Sequence, residues 1–266
     1  MSYTLNDQVA FVTGASSGIG EAVAVSLAKL GVHLVLTARR FERIEALAKK
    51  LNHTYGIDVL PIPLDVRHKV QVKHVVEQLK DRWASIDILI NNAGLALEST
   101  TMQEGNLDAW ETMIQTNING FLYVSHAILP NMVKRNSGHI INIGSIAGRE
   151  YYKTGNIYSA TKHAVKALSK SMQIDLLGTS VRVSEVAPGS VHTEFSEVRW
   201  SDKQKSDQFY QSIEALQAED IADAAIYCLT RPPHVNVSEM VVVPTIQAGC
   251  NHMINKDGKH QALIKE

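Results

Sequence analysis

Short apolar runs alternate with longer stretches of helical period along most of the chain. Gln8 to Thr13 reads as a buried strand. The helix that follows, from about Ile19 to Leu30, stops at Gly31, a residue suited to the left-handed conformation beyond a helix end. The unit then repeats. His33 to Thr37 predicts a strand and Phe41 to Leu51 a helix, and Val59 to Pro63 with Val70 to Trp83 forms the next pair. Ile86 to Asn91 is a strand before a helical outline from Asn106 to Lys134. His139 to Gly144, Tyr158 to Leu177 and Val181 to Ala187 continue strand, helix, strand, and a helix near Ala218 to Leu229 precedes a last strand at Met240 to Pro244. Seven apolar strands with helices between them imply parallel pairing, because parallel neighbours need a crossover connection and are buried on both faces. The expected fold class is α/β, one doubly wound domain over residues 1–248, with a polar C-terminal tail at 249–266.

Composition narrows the function. With 266 residues, 45% hydrophobic and 20% charged, the chain has enough apolar material for a large core and is not a disordered polymer. Its 26 Lys plus Arg against 27 Asp plus Glu leave a net charge of -1, so no basic surplus favours nucleic acid or anionic lipid. The apolar runs fall far short of the roughly 20 residues that span a bilayer. Met1 to Asp7 is polar and lacks a signal peptide's apolar stretch, which predicts a cytoplasmic protein. Cys228 and Cys250 build no disulfide framework and show no metal-ligand spacing, so no metal is expected, and Cys228 reads as core.

Directly after the first strand comes Thr13-Gly14-Ala15-Ser16-Ser17-Gly18-Ile19-Gly20, opening a helix. Residues without a Cβ let the backbone approach a pyrophosphate, and the helix N-terminus offers free N–H groups and partial positive charge. The same residues contain Gly14-x-Ser16-x-Gly18, the pattern of a hydrolase nucleophile elbow. That rival needs an oxyanion-hole loop from an earlier strand, and the 13 residues before Gly14 hold only one strand.

Tyr158 and Lys162, four residues apart on a predicted helix, lie roughly 40° apart around its axis and about 6 Å along it, so both can reach one site. A free tyrosine titrates near 10 and exchanges protons poorly at neutral pH. An ammonium about 5 Å away contributes roughly 3 kcal/mol, or about 2 units, and is expected to bring the phenol down.

With the glycine turn at 13–20, Asn91-Asn92-Ala93-Gly94 after the fourth strand, Ser145 after the fifth and Tyr158-x-x-x-Lys162, the sequence resembles the short-chain dehydrogenase/reductase family over about residues 8–245. The resemblance implies a Rossmann-type seven-stranded sheet of order 3-2-1-4-5-6-7. It implies Tyr158 as general acid in carbonyl reduction and base in alcohol oxidation, Lys162 on the nicotinamide ribose, and Ser145 on the substrate oxygen. Asn117 matches the family's fourth catalytic residue, on a water-mediated proton path to the lysine. Gly14, Ser16, Ser17, Gly18, Ile19 and Gly20 would cradle the dinucleotide. Asp65 and Val66 correspond to the adenine contact, although Asp65 suits a helix cap equally well. Asn91, Ala93 and Gly94 would line the cofactor side, and Pro188, Gly189, Val191 and Thr193 would grip the carboxamide. The family is usually tetrameric, so a homo-oligomer is expected.

Two finer readings follow from the resemblance. Ala38 occupies the position where an NAD-preferring relative carries a carboxylate, and Arg39 and Arg40 then offer a clamp for a 2′-phosphate, which points to NADP. Ser17 sits where some NADP-preferring relatives carry a basic residue. The stretch 193–216 is the expected substrate cover. Strings such as Ser137 to Ser145, Glu194-Phe195 with Val198-Arg199, and Pro233 to Asn236 resemble the branch of NADP-dependent 3-hydroxy acid dehydrogenases that oxidise serine or allo-threonine and reduce malonic semialdehyde. Arg199 is the candidate partner for the substrate carboxylate, with a surface arginine beside Trp200 as the alternative. A general ketone or aldehyde reductase and a non-catalytic NADP-binding regulator are the competing functions.

Overall fold

The structure, a computed structural model, describes residues 4–260. Strands β1 (Val9–Thr13), β2 (His33–Ala38), β3 (Val59–Pro63), β4 (Ile88–Asn91), β5 (Gly138–Ile143), β6 (Val181–Pro188) and β7 (Glu239–Val242) form one sheet of order β3-β2-β1-β4-β5-β6-β7. Every pairing in it is parallel. Helices α1 (Gly18–Lys29), α2 (Phe41–Tyr55) and α3 (Lys69–Glu77) follow the first three strands, and α4 (Leu107–Ile114) and α5 (Phe121–Arg135) follow β4. Then come α6 (Asn156–Asp175), two short helices α7 (Phe195–Trp200) and α8 (Lys203–Ser212), and α9 (Ala218–Leu229).

Alternation along each strand divides the core. Ala10 and Val12 of β1, Leu34 and Leu36 of β2 and Ile88 and Ile90 of β4 pack into one cluster with α1, α2 and α9. Their neighbours Val9, Phe11, Val35 and Leu89 pack on the opposite face with Val72, Val124, Ile128 and Met132. Both faces are apolar because each strand is covered twice, and each fully buried Leu, Ile or Phe contributes about 1.5–3 kcal/mol. Pro61 and Pro63 fall on β3, an edge strand, where a missing N–H disturbs no further ladder.

The structure departs from the expected elements in three places. The outline from Asn106 to Lys134 is two α-helices joined by a π-helical segment, Gln115–Gly120. The segment predicted as a helix to Trp83 leaves the α conformation after Glu77, and Asp81, at φ 52, opens a 3₁₀ turn over Asp81–Ala84. The expected polar tail begins inside the domain. Strand β8 (Gln247–Gly249) pairs antiparallel with β9 (His252–Met253), and Cys250 and Met253 are each 1% exposed. Glu150 Oε2 accepts from the Cys250 N–H at 2.8 Å, and Asn251 Nδ2 donates to the Tyr151 carbonyl at 2.6 Å, which draws this polar segment onto the sheet's C-terminal end. Positions 261–266 of that expected tail lie outside the described residues. Among the described residues no helix is long and apolar enough to cross a membrane.

Candidate active site

A cavity of about 380 Å³ opens at the carboxyl ends of the strands, within the range of small-molecule sites. Crossover connections put strand ends and helix starts together on this edge, so residues far apart in sequence converge there. Gly14 and Gly18 hold φ of 66 and 58, which other residues rarely adopt. Gly20 is required by proximity instead: a Cβ there would lie 2.4 Å from Asn92 Nδ2 and 2.5 Å from the Gly14 carbonyl. Asn92, absent from the sequence-based candidates, fastens the turn by donating to the carbonyls of Thr13 and Gly14 at 3.0 and 3.2 Å. Thr13 completes the fastening, since its Oγ1 accepts from the N–H groups of Asn92 and Ala93, each at 3.0 Å.

At the end of β2, Ala38 is buried while Arg39 and Arg40 reach the cavity. Arg40 donates to Ser16 Oγ through Nε at 3.2 Å and Nη2 at 3.1 Å, and to Ser17 Oγ at 2.7 Å. No histidine lines the cavity among the described residues, so the hydrolase elbow lacks its base. Asp65 and Val66 lie on the cavity wall. Burial opposes ionisation of Asp65, but Arg67 donates to it from both backbone and guanidinium and holds its carboxyl below the usual range. Asp65 therefore braces a turn, and the N-cap position of α3 belongs to His68.

Ser145 follows β5 and accepts from the Ala147 N–H at 3.1 Å, while α6 brings Tyr158 and Lys162 to the same point. Tyr158 lines the same stretch of the cavity as Ser145 and packs against Phe195, ring centroids 5.5 Å apart. Lys162 Nζ donates to the Ile143 carbonyl at 2.9 Å and stands 5.9 Å from the centre of the Tyr158 ring. The expectation that this ammonium lowers the phenol fails here. Burial is the largest influence on Tyr158 and raises it, Tyr152 pushes the same way, and Ser145 and Arg199 oppose them without winning. Burial also lowers Lys162, to about 8, against the pull of Glu185. Glu185, 2% exposed on β6, is paired with Arg149 at 3.2 Å, and the same Nη1 donates to the Ser145 carbonyl at 3.0 Å.

One expected site residue points into the core, and a second stands just behind the cavity wall, where a Cβ on Gly94 would lie 3.3 Å from Asn117 Oδ1 and 3.6 Å from Lys162 Nζ. Asn91 donates to Ser125 Oγ and Asn142 Oδ1, both at 3.0 Å, inside the core between β4 and β5. Asn117, 2% exposed, clamps the Leu95 peptide by accepting from its N–H at 2.9 Å and donating to its carbonyl at 2.8 Å, and donates to Thr161 on α6 at 3.0 Å. Asn117 lies within the π-helical segment. Ala93, Gly94, Pro188, Gly189, Val191 and Thr193 all line the cavity. The Val191 carbonyl is taken by the Tyr210 hydroxyl at 2.7 Å.

The far end of the cavity is closed by α7 and α8. Arg199 is 8% exposed, correcting the surface alternative; it donates from Nε to Ser99 Oγ at 3.1 Å and from Nη2 to the Tyr152 hydroxyl at 3.0 Å. It has no ion-pair partner among the described residues. Cys250 lines the same end, its thiol pushed up to about 12 by burial. Tyr152 and Ser99 carried no sequence signal, because they meet Arg199 from 47 and 100 positions away.

The short chain dehydrogenase family model matches residues 8–204. The chain belongs to that family. It is an oxidoreductase acting on alcohol and carbonyl groups. Among its relatives, the NADP-dependent 3-hydroxy acid dehydrogenase of Schizosaccharomyces pombe is 43% identical over 254 residues, 95% of this chain and 98% of the relative. The NADP-dependent 3-hydroxy acid dehydrogenase YdfG of Escherichia coli (strain K12) is 42% identical over 247 residues, 91% of this chain and 98% of that one. A serine dehydrogenase solved in a closed form with NADP+ superposes with a TM-score of 0.86 at 41% identity, covering 91% of this chain and 96% of that chain.

Proposed function

We propose that this dehydrogenase moves a hydride between NADP(H) and a small 3-hydroxy acid or its oxo counterpart, such as serine, allo-threonine or malonic semialdehyde. The names of the 3-hydroxy acid dehydrogenase relatives and of the NADP+-bound serine dehydrogenase support the reading. One observation carries the acid: a buried guanidinium with no carboxylate partner among the described residues sits in the cavity close enough to Tyr158 to act on its titration. An unpaired charge in such a place costs several kcal/mol, and an anionic ligand offsets that cost. Arg199 binds the substrate carboxylate in this reading.

The residues at the other end fit NADP. The glycines leave room that a Cβ would fill, Ala38 offers no carboxylate, and Arg39 and Arg40 supply cationic donors for a 2′-phosphate, with the Ser16 and Ser17 hydroxyls beside them. Bound there, NADP(H) supplies the hydride donor for reduction and the acceptor for oxidation. The backbone of 188–193 would orient its carboxamide, and Lys162 would hold the ribose hydroxyls while keeping a positive charge near the reacting atoms. Tyr158, raised by burial, stays protonated at neutral pH and donates from its Oη to the alkoxide oxygen that forms on reduction. Ser145 donates to the same oxygen as its charge develops. Asn117 positions α6 and the Leu95 loop.

Free, buried Cys228 and Cys250 agree with a reducing, cytoplasmic setting. Leu107, Ile114 and Leu122 are exposed along the α4–α5 unit, which supports self-association as a homotetramer. The test is NADPH consumption with small oxo acids beside neutral ketones, and NADP reduction with serine and other 3-hydroxy acids. Neutral ketones turned over as fast as oxo acids would favour a general ketone or aldehyde reductase; NADP binding without turnover of any carbonyl would favour a regulator.

A further inference from the structure

Glu194 stands between Thr193 and α7, and two arginines hold it. Arg40 Nη1 donates to Oε2 at 2.7 Å and Arg43 Nη1 to Oε1 at 2.6 Å. Burial alone would raise this carboxyl, but the hydrogen bonds and charges of Arg43 and Arg40 bring it down to about 2, so it is ionised at any working pH. The rest of the Arg40 fork faces Ser16 and Ser17. These neighbours differ in kind. A serine hydroxyl can rotate and donate to an arriving phosphate, whereas a carboxylate can only accept, and it repels a dianion.

We propose that Glu194 is a specificity-determining residue, an internal anion that competes with the cofactor's 2′-phosphate for Arg40 and ties that competition to α7. The inference rests on the NADP reading above. When phosphate takes Arg40, the carboxylate falls back on Arg43 alone. Phe195, the next residue, packs on the Tyr158 ring, and Arg199 lies on the same short helix. Occupancy of the phosphate end thereby reaches the helix that covers the reacting end. Glu194 also limits how tightly a phosphorylated dinucleotide is held, which favours its exchange between turnovers.

The experiment is calorimetric titration of the full chain with adenosine 2′,5′-bisphosphate and with 5′-AMP at one fixed ionic strength, for wild type, Glu194→Gln and Glu194→Ser. Both variants are expected to bind the bisphosphate roughly tenfold tighter, given a partly screened repulsion. Their affinity for 5′-AMP should not change, and KM for the hydroxy acid should rise as α7 loses its tether. Unchanged or weaker bisphosphate binding in the variants, with wild type preferring the bisphosphate, overturns the competitor role and leaves the NADP reading intact. Equal weakening of both ligands assigns Glu194 a purely structural part. Absence of any preference for the bisphosphate in all three proteins overturns both readings together.

Discussion

Arg40 and Arg199 stand at opposite ends of one cavity, and their surroundings are reversed. The Arg40 side chain is 43% exposed and already paired, with Glu194 and two serine hydroxyls on its fork. Arg199 is 8% exposed, has Ser99 and Tyr152 as its side-chain hydrogen-bond partners among the described residues, and lies over the Tyr152 ring at 5.3 Å. An exposed pair contributes about 0–1 kcal/mol and exchanges readily for another anion. A buried, uncompensated cation holds a matching anion far more firmly. On the proposed function, tunable recognition of the phosphate falls to the Arg40 end and stringent recognition of the carboxylate to the Arg199 end.

The largest effect is expected between the two arginines. Tyr158→Phe removes the hydroxyl that donates a proton in reduction and accepts one in oxidation, and kcat should fall roughly 10³-fold. Fluorescence titration should find dinucleotide binding intact, and near wild-type turnover would remove the proton-transfer role. Next comes the buried end. Arg199→Ala should lower kcat/KM for 3-hydroxy acids about 10²-fold and leave a neutral alcohol unaffected. Equal losses on both substrates would show that the guanidinium only supports α7, and the contrast with Arg40 would disappear. At the exposed end, Arg40→Ala should cut the NADP over NAD preference in kcat/KM by about tenfold with little change in the NAD value.

The smallest effect concerns stability and pH. Lys162 releases its proton at about 8, against 10.5 for an ordinary lysine, so between these values the unfolded chain binds more protons and stability rises with pH. Below pH 8 the burial penalty is fully present, at most about 3 kcal/mol. Lys162→Met should therefore raise Tm at pH 7, by less than that figure allows because the bond to the Ile143 carbonyl is lost. The gain should shrink as pH climbs toward 10. A Tm difference independent of pH would mean that the ammonium is not desolvated in the folded state.

Local chemistry made much of this molecule legible. The strand and helix order could be read because parallel strands buried on both faces must be apolar throughout, and the glycine turn because φ above zero at Gly14 and Gly18 excludes side chains. Tyr158 and Lys162 were visible as a pair because one helical turn brings them together. Asn91 and Asn92 show the limit. Adjacent positions on a strand end point to opposite sides, and only the register with β1 and β5 decided that Asn92 fastens the glycine turn while Asn91 enters the core.

What the sequence determined by itself was fold class, the order of the elements and the pairing of Tyr158 with Lys162, which depend on apolar runs, helical period and spacing within one helix. The electrostatic state of the site was decided by tertiary structure. Helical spacing suggested that Lys162 would acidify Tyr158, yet burial raised the phenol, and the groups that oppose it are Ser145 and Arg199. Arg199 became a buried cation only once α7, the Ser99 loop, Tyr152 and Cys250 had closed around it. Desolvation depends on everything packed around a group, and no local pattern along the chain records it.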